Sequence, residues 1–214
     1  MLIRLLLFIM LISFSAVPVL GAGSIVVDDF EHGLDSAWEE TRFKGETIYT
    51  VVTEGGGKVL RAVSHGTASG LALKKTYRLQ DYPVLTWRWK VDNIIRSGDA
   101  TRQSGDDYAA RIYVVFPHWF FPRTRTINYI WANKLPQGET LPNSFTRNAM
   151  MIAVESGAAR VGEWITERVD VYADYRRIFG EEPPEVGAIA LMTDTDNTGE
   201  RAVARYDDIR IEQR

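Results

Sequence analysis

Three arginines lie at alternating positions in short apolar-polar runs, and their spacing is the first in this chain that could do chemistry. In Leu85–Val91, an extended backbone places Leu85, Trp87, Trp89 and Val91 on one face and Thr86, Arg88 and Lys90 on the other. In residues 107–116, Tyr108, Ala110, Ile112, Val114 and Phe116 oppose Asp107, Ala109, Arg111, Tyr113 and Val115. In residues 164–170, Trp164, Thr166, Arg168 and Asp170 oppose Ile165, Glu167 and Val169. If these strands are neighbours, Arg88, Arg111 and Arg168 share a polar face with Tyr113 and Asp170. Such a face is either a solvated exterior with each arginine paired to an acid, or the floor of a groove. In a groove, guanidinium forks grip carboxylates or sugar hydroxyls. Trp87 and Trp89 read as core because Leu85 and Val91 flank them. Tyr129 and Trp131 share a face in Asn128-Tyr129-Ile130-Trp131-Ala132 and read as a stacking platform. Trp119 lies in the proline-bracketed run Pro117-His118-Trp119-Phe120-Phe121-Pro122, which reads as an exposed apolar patch.

A second constellation is Thr193-Asp194-Thr195-Asp196-Asn197-Thr198-Gly199. Oxygen side chains at Asp194, Asp196 and Asn197, ahead of a glycine, can wrap a hard cation, and structural calcium is the expected ion. Arg205 stands where an EF-hand needs a bidentate glutamate, so the segment is not an EF-hand. The same residues also make an ordinary hairpin turn. Gly105-Asp106-Asp107 enters a strand in similar style. His32, His65 and His118 are isolated, and neither a G-x-S-x-G elbow nor a phosphate loop occurs. Glu155, Glu163, Glu167 and Asp170 could serve glycoside hydrolysis if two of them face each other, and are otherwise surface charge.

These side chains must be positioned by strands. Short β-type runs bounded by Gly, Asp, Asn or Pro recur about eleven times from Ser24 to Glu212. The pattern predicts an all-β fold, a two-sheet antiparallel jelly-roll sandwich. One segment, 171–180, has Val171, Tyr175 and Ile178 at helical spacing, with Gly180 as a stop and Pro183-Pro184 beyond. It predicts a short helix. The acidic pairs Asp28-Asp29 and Asp207-Asp208 predict that the first and last strands lie side by side. Two long polar loops, 92–105 and 134–148, are places where a rigid scaffold carries function.

Residues 1–22 read as a signal peptide: Arg4, an apolar run from Leu5 to Val19, then Gly21-Ala22. About 190 residues remain, 23–214, enough for one sandwich domain with a full core. There is no cysteine, so an exported chain relies on packing rather than disulfides. Net charge is −3, or −4 once Arg4 is removed, and no basic block occurs; nucleic acid is not an expected partner. No second span follows the leader. The expected location is periplasmic or secreted.

Several motifs in order give the chain a family resemblance. They are Phe43-Lys44-Gly45-Glu46-Thr47-Ile48-Tyr49, residues 85–91, residues 105–116, Tyr129-Ile130-Trp131-Ala132, residues 170–180 and residues 192–199. The chain resembles exported bacterial proteins grouped as domain of unknown function 3047. The resemblance implies an exported single domain and carries over no catalytic residue. The resulting expectation is a non-catalytic binding module for carbohydrate or another envelope component. The alternatives are a polysaccharide-acting enzyme using sheet-face carboxylates, and a protein-interaction module using the Trp119 region.

Overall fold

The computed structural model describes residues 23–214, so the leader read over residues 1–22 lies outside the described residues. The strands are β1 (Ser24–Asp28), β2 (Trp38–Lys44), β3 (Ile48–Glu54), β4 (Gly57–His65), β5 (Ala68–Tyr77), β6 (Val84–Val91) and β7 (Arg111–Phe116). They continue as β8 (Arg125–Ala132), β9 (Thr140–Pro142), β10 (Ala149–Ser156), β11 (Ile165–Asp170), β12 (Val186–Asp194) and β13 (Arg201–Glu212). One helix, α1 (Val171–Phe179), follows β11.

Two sheets face each other. One runs β11-β6-β13-β4-β3, with β1 also on β13; the other runs β2-β5-β12-β7-β8-β10-β9. The first and last strands do pair, Ile25 opposite Ile211. Strand β13 borders β4 through its first half and β1 through its second, and the switch falls at a bulge where Asp208 takes φ +49°. The sandwich is antiparallel except at β8 and β10, which run parallel because the long 134–148 connection returns the chain to the same end. Two strands lack a sequence signal. In β2 only Trp38 is buried, and β9 is three residues long.

The core lies between the sheets. From one side come Leu60, Leu85, Trp87, Trp89, Tyr206 and Ile211; from the other come Leu71, Ile112, Val114, Tyr129, Trp131 and Leu191. A second cluster (Ala100, Tyr108, Ile130, Ala132, Met151, Ala153) sits outside the seven-stranded sheet, with Leu135 and Leu141 packed against it. The two long loops thus roof one end of that sheet. Tyr108 belongs to this cluster, not to the main core, because regular pairing in β7 begins only at Arg111.

Helix α1 forms as its spacing predicts. The Asp170 carboxylate accepts from the Ala173 N–H at 2.9 Å, and Gly180 at φ +71° ends the helix. Tyr175 is buried against Phe116, ring centroids 4.6 Å apart. No helix among the described residues is long and apolar enough to cross a membrane.

Candidate functional site

The three arginines do not share a face. Strands β6 and β11 are neighbours, with Arg88 opposite Thr166 and Arg168 opposite Thr86, but β7 and its Arg111 belong to the other sheet. Arg88 donates through Nε to Asp207 at 2.9 Å and lies 4.9 Å from the Trp164 ring centroid. Arg168 approaches Glu212 at 3.7 Å. Arg88 is countered by Asp207 and Asp208 and Arg168 by Glu212, all on β13, and the two arginines line one shallow depression of about 310 Å³ with Arg210. Asp170 has two structural partners: one oxygen caps α1 and the other accepts from Arg214 at 2.9 Å.

Arg111 and Tyr113 instead open onto the outer face of the seven-stranded sheet. Register puts Arg111 opposite Met192, and Tyr113 opposite both Asn128 and Ala190, so these residues share one face. Gly70 and Ala72 continue that face on β5. A groove of about 450 Å³ opens on this face, lined by Arg111, Tyr113, Asn128 and Met192 and, from β5, by Ala68. Phe43 comes from edge strand β2, and Phe145 from the loop that arches over the opposite half of the sheet. Both are exposed, at 71% and 57%.

The floor is polar and tightly held. Arg111 is 5% exposed and donates to Asp194 at 2.5 Å, between the rings of Tyr108 (5.0 Å) and Tyr113 (5.4 Å). Burial pushes the Tyr113 hydroxyl well up, so it stays protonated. Asn143 Nδ2 donates to both oxygens of Asp106, at 2.9 and 2.8 Å. Two buried polar atoms in this wall lack any protein partner: the donor Arg111 Nε and the acceptor Asn128 Oδ1. Unpaired buried polar atoms are uncommon, and these are the two of seven among the described residues that belong to side chains lining the groove.

The predicted calcium residues are only partly brought together. Asp107, Asp194 and Asp196 converge, with one oxygen from each within 4.8 Å of the others. Asn197 faces them through nitrogen instead: its backbone N–H and its Nδ2 donate to Asp107 at 3.2 and 3.1 Å. Asp107 also accepts from the Thr198 N–H at 2.7 Å, and Asp194 from Tyr108 N–H at 3.3 Å. Burial pushes the pKa of Asp194 up, Arg111 opposes that rise, and Asp107 adds to it. Asp107, Asp194 and Asp196 are therefore the residues that could hold a cation, and Arg111 already supplies a positive charge there.

A family model matches residues 36–210, a span that contains the whole groove. The chain belongs to the DUF3047 family, described as a protein of unknown function. No curated protein matches this DUF3047 chain. Among solved structures it is similar to the xyloglucanase domain of a type three effector from Sinorhizobium fredii, in complex with cellobiose. The TM-score is 0.48 and identity 7%, covering 90% of this chain and 98% of that one. It is also similar to a non-crystalline cellulose specific carbohydrate-binding module (TM-score 0.45, 16% identity, 86% and 92% covered). A family 29 carbohydrate-binding module variant gives TM-score 0.44 and 12% identity, with 89% and 91% covered.

In this DUF3047 chain Tyr129 and Trp131 are not a stacking platform. Both are fully buried between the sheets, packed on Trp87 and Trp89 with centroids 5.6 and 5.9 Å apart. The Tyr129 hydroxyl donates to Asp174 at 3.0 Å, and Trp131 Nε1 to the Gly157 carbonyl at 3.0 Å. The outward face of β8 is the one bearing Asn128. Asn128, Asn143, Phe43 and Phe145 are the groove residues that alternation alone did not single out.

The carboxylates considered for hydrolysis have structural partners. Glu155 accepts from Arg160 at 2.7 Å, Glu163 lies 3.5 Å from Arg160, and Glu167 accepts from Trp89 Nε1 at 3.1 Å. Burial and the charge of Glu155 push Glu167 up to about 7 from an ordinary 4.5, against the pull of the Trp89 bond and Arg160. A carboxyl whose folded value is raised stabilises the fold while protonated, and that stability is lost as pH rises through about 7. Glu167→Gln is therefore expected to gain on the parent by roughly 1–2 kcal/mol between pH 5 and 8.5, after discounting for solvent screening. Urea unfolding at the two pH values measures this. A parent–variant difference that does not change with pH would refute it.

Proposed function

We propose that this protein binds neutral polysaccharide in the groove on its seven-stranded sheet, without catalysing a reaction there. The observation that carries the reading is a groove whose lining includes Arg111 and Asn128, each with one polar atom lacking a protein partner, flanked by exposed Phe43 and Phe145. A sugar hydroxyl both donates and accepts, so it complements either atom, while the apolar ring faces of the sugar pack on phenylalanine. A carboxylate can only accept, and here it would meet Asp106, Asp194 and Asp196, which outnumber Arg111. Of the acids lining the groove, Asp194 is ion-paired with Arg111, Asp106 is held by Asn143 and Tyr108, and Asp196 accepts from Asn197 Nδ2 at 3.2 Å. Export, as read from residues 1–22, agrees with a glycan ligand outside the cytoplasm.

The test is calorimetric titration with soluble xyloglucan, glucomannan and mixed-linkage glucan, paired with a reducing-end assay. Phe145→Ala is expected to weaken binding about tenfold, equal to about 1.4 kcal/mol. The melting temperature should barely move, because the side chain is mostly exposed. Asn128→Ala should weaken binding further. Binding unaffected by Phe43→Ala, Phe145→Ala and Asn128→Ala would place the ligand elsewhere, and turnover of any glycan would return the enzyme alternative.

A further inference from the structure

The loop from β7 to β8 carries a second feature that the groove does not use. Trp119 is 91% exposed, Phe121 82% and Phe120 49%, three consecutive aromatic side chains held out into water. The loop holding them is not slack. Pro117 and Pro122 bracket it, the Phe120 N–H donates to His118 Nδ1 at 3.0 Å, and the His118 N–H donates to Thr124 Oγ1 at 3.2 Å. A tight turn adds Arg123 N–H to the Phe120 carbonyl at 2.8 Å and Thr124 N–H to the Phe121 carbonyl at 2.9 Å. From the neighbouring loop, Asn148 Nδ2 clasps the Pro122 carbonyl at 2.6 Å.

Around the tip the paired groups cancel, and the unpaired ones among the described residues are two arginines and Glu185, which follows Pro184 of the adjoining cleft. Arg125 is countered by Glu181, and Glu182 by Arg176. Arg123, within the loop, and Arg147, next to the clasping Asn148, form no ion pair among the described residues. A chain of net charge −3 thus sets two unpaired arginines beside an apolar tip.

Three kinds of surface accept exposed aromatics. A flat glycan chain needs coplanar rings, but Trp119 and Phe120 are inclined at 45° with centroids 5.9 Å apart. A stable protein interface needs a broad patch, and the exposed aromatics here are three consecutive residues of one short connection. A bilayer surface needs a small aromatic tip that sinks to headgroup depth, with arginines able to meet lipid phosphates. We infer that the Trp119-Phe120-Phe121 loop is an interfacial anchor that seats the protein on an anionic phospholipid surface.

The test uses the chain from Gly23 onward, which contains the whole sandwich and omits the apolar residues 5–19. It is sedimented with vesicles of phosphatidylcholine, with or without phosphatidylglycerol. Trp119 is the most exposed tryptophan, with Trp38, Trp87, Trp89 and Trp131 buried, so its insertion should blue-shift the emission. Brominated lipid should quench that emission. Expected results are co-sedimentation that depends on phosphatidylglycerol and falls with salt, and its loss in Trp119→Ala/Phe121→Ala with an unchanged melting temperature. Arg123→Gln should weaken it roughly fivefold. No co-sedimentation with either vesicle, equal binding to both, or full binding by the double variant would each overturn the inference. Glycan binding by the groove is read separately and is expected to persist in the double variant.

Discussion

Asp194→Ala is expected to destabilise the protein by about 3–5 kcal/mol, because it leaves the Arg111 guanidinium buried without its counter-charge. For a domain of this size that is a fall in melting temperature on the order of 10 °C. Both side chains are almost completely buried, and the arginine is further enclosed by Tyr108, Tyr113 and Met192. The lost carboxylate also strands the Tyr108 N–H, which ties the entry of β7 to the end of β12. The double variant Arg111→Met/Asp194→Leu removes both charges and is expected to recover most of the loss, since apolar residues of similar volume commonly replace a buried pair at no net cost. That variant should still fail to bind glycan, because the unpaired donor in the groove wall is gone. Urea unfolding and titration calorimetry on the two variants separate these roles. A loss below about 1 kcal/mol in Asp194→Ala would mean that the pair is not desolvated as the structure has it.

Much of the architecture can be read from alternation, and its failures have one cause. In β6 the inward set Leu85, Trp87, Trp89 and Val91 is apolar and the outward set is polar, so the pattern assigns the faces directly. In β8 the inner face packs on the opposite sheet and the outer face lies under the loops carrying Ala100 and Leu135, with Leu141 of β9 alongside. With both faces covered, alternation still separates Tyr129 and Trp131 from Asn128 and Ile130 but does not say which pair faces out. Alternation groups Arg111 with Arg88 and Arg168 for a related reason: spacing along a strand does not reveal the sheet to which the strand belongs. The helix was easier to read because local rules suffice, a spacing of Val171, Tyr175 and Ile178 closed by Gly180.

The groove is hidden because its lining is gathered from β2, β5, β7, β8, β10 and β12 and from the loops around Asp106, Phe145 and Asp196. Phe43 sits in a charged run whose only buried member is Trp38, so β2 carries no strand signal. Phe145 is in a loop, where no periodicity applies. Asp107 pairs in space with Asp194 and Asp196 although nearly ninety positions separate them, as the 91-residue span of the Thr198–Asp107 bond indicates. The Thr193–Gly199 turn was visible as a polar-ligand segment, and Asp107 had the right style, but their union depends on β12 lying beside β7.

Trp131→Ala is the substitution that separates the two placements of this residue most sharply. Set between the sheets, fully buried, touching Trp89 and bonded to the Gly157 carbonyl, the indole cannot be removed without a large void. The expected cost is about 3–5 kcal/mol. The melting temperature should fall on the order of 10 °C, while the protein that stays folded binds glycan as the parent does, because residue 131 lies on the opposite face of β8 from Asn128. Trp131→Phe should cost less, keeping most of the ring volume and losing the bond to Gly157, about 1 kcal/mol. Phe145→Ala should show the reverse pattern, with stability kept and affinity lost. If Trp131→Ala instead lost binding at an unchanged melting temperature, the indole would have to face the ligand, and β8 would be inverted relative to the structure. Thermal melts and titrations on these three variants, run at one pH and salt concentration, decide between the two orientations.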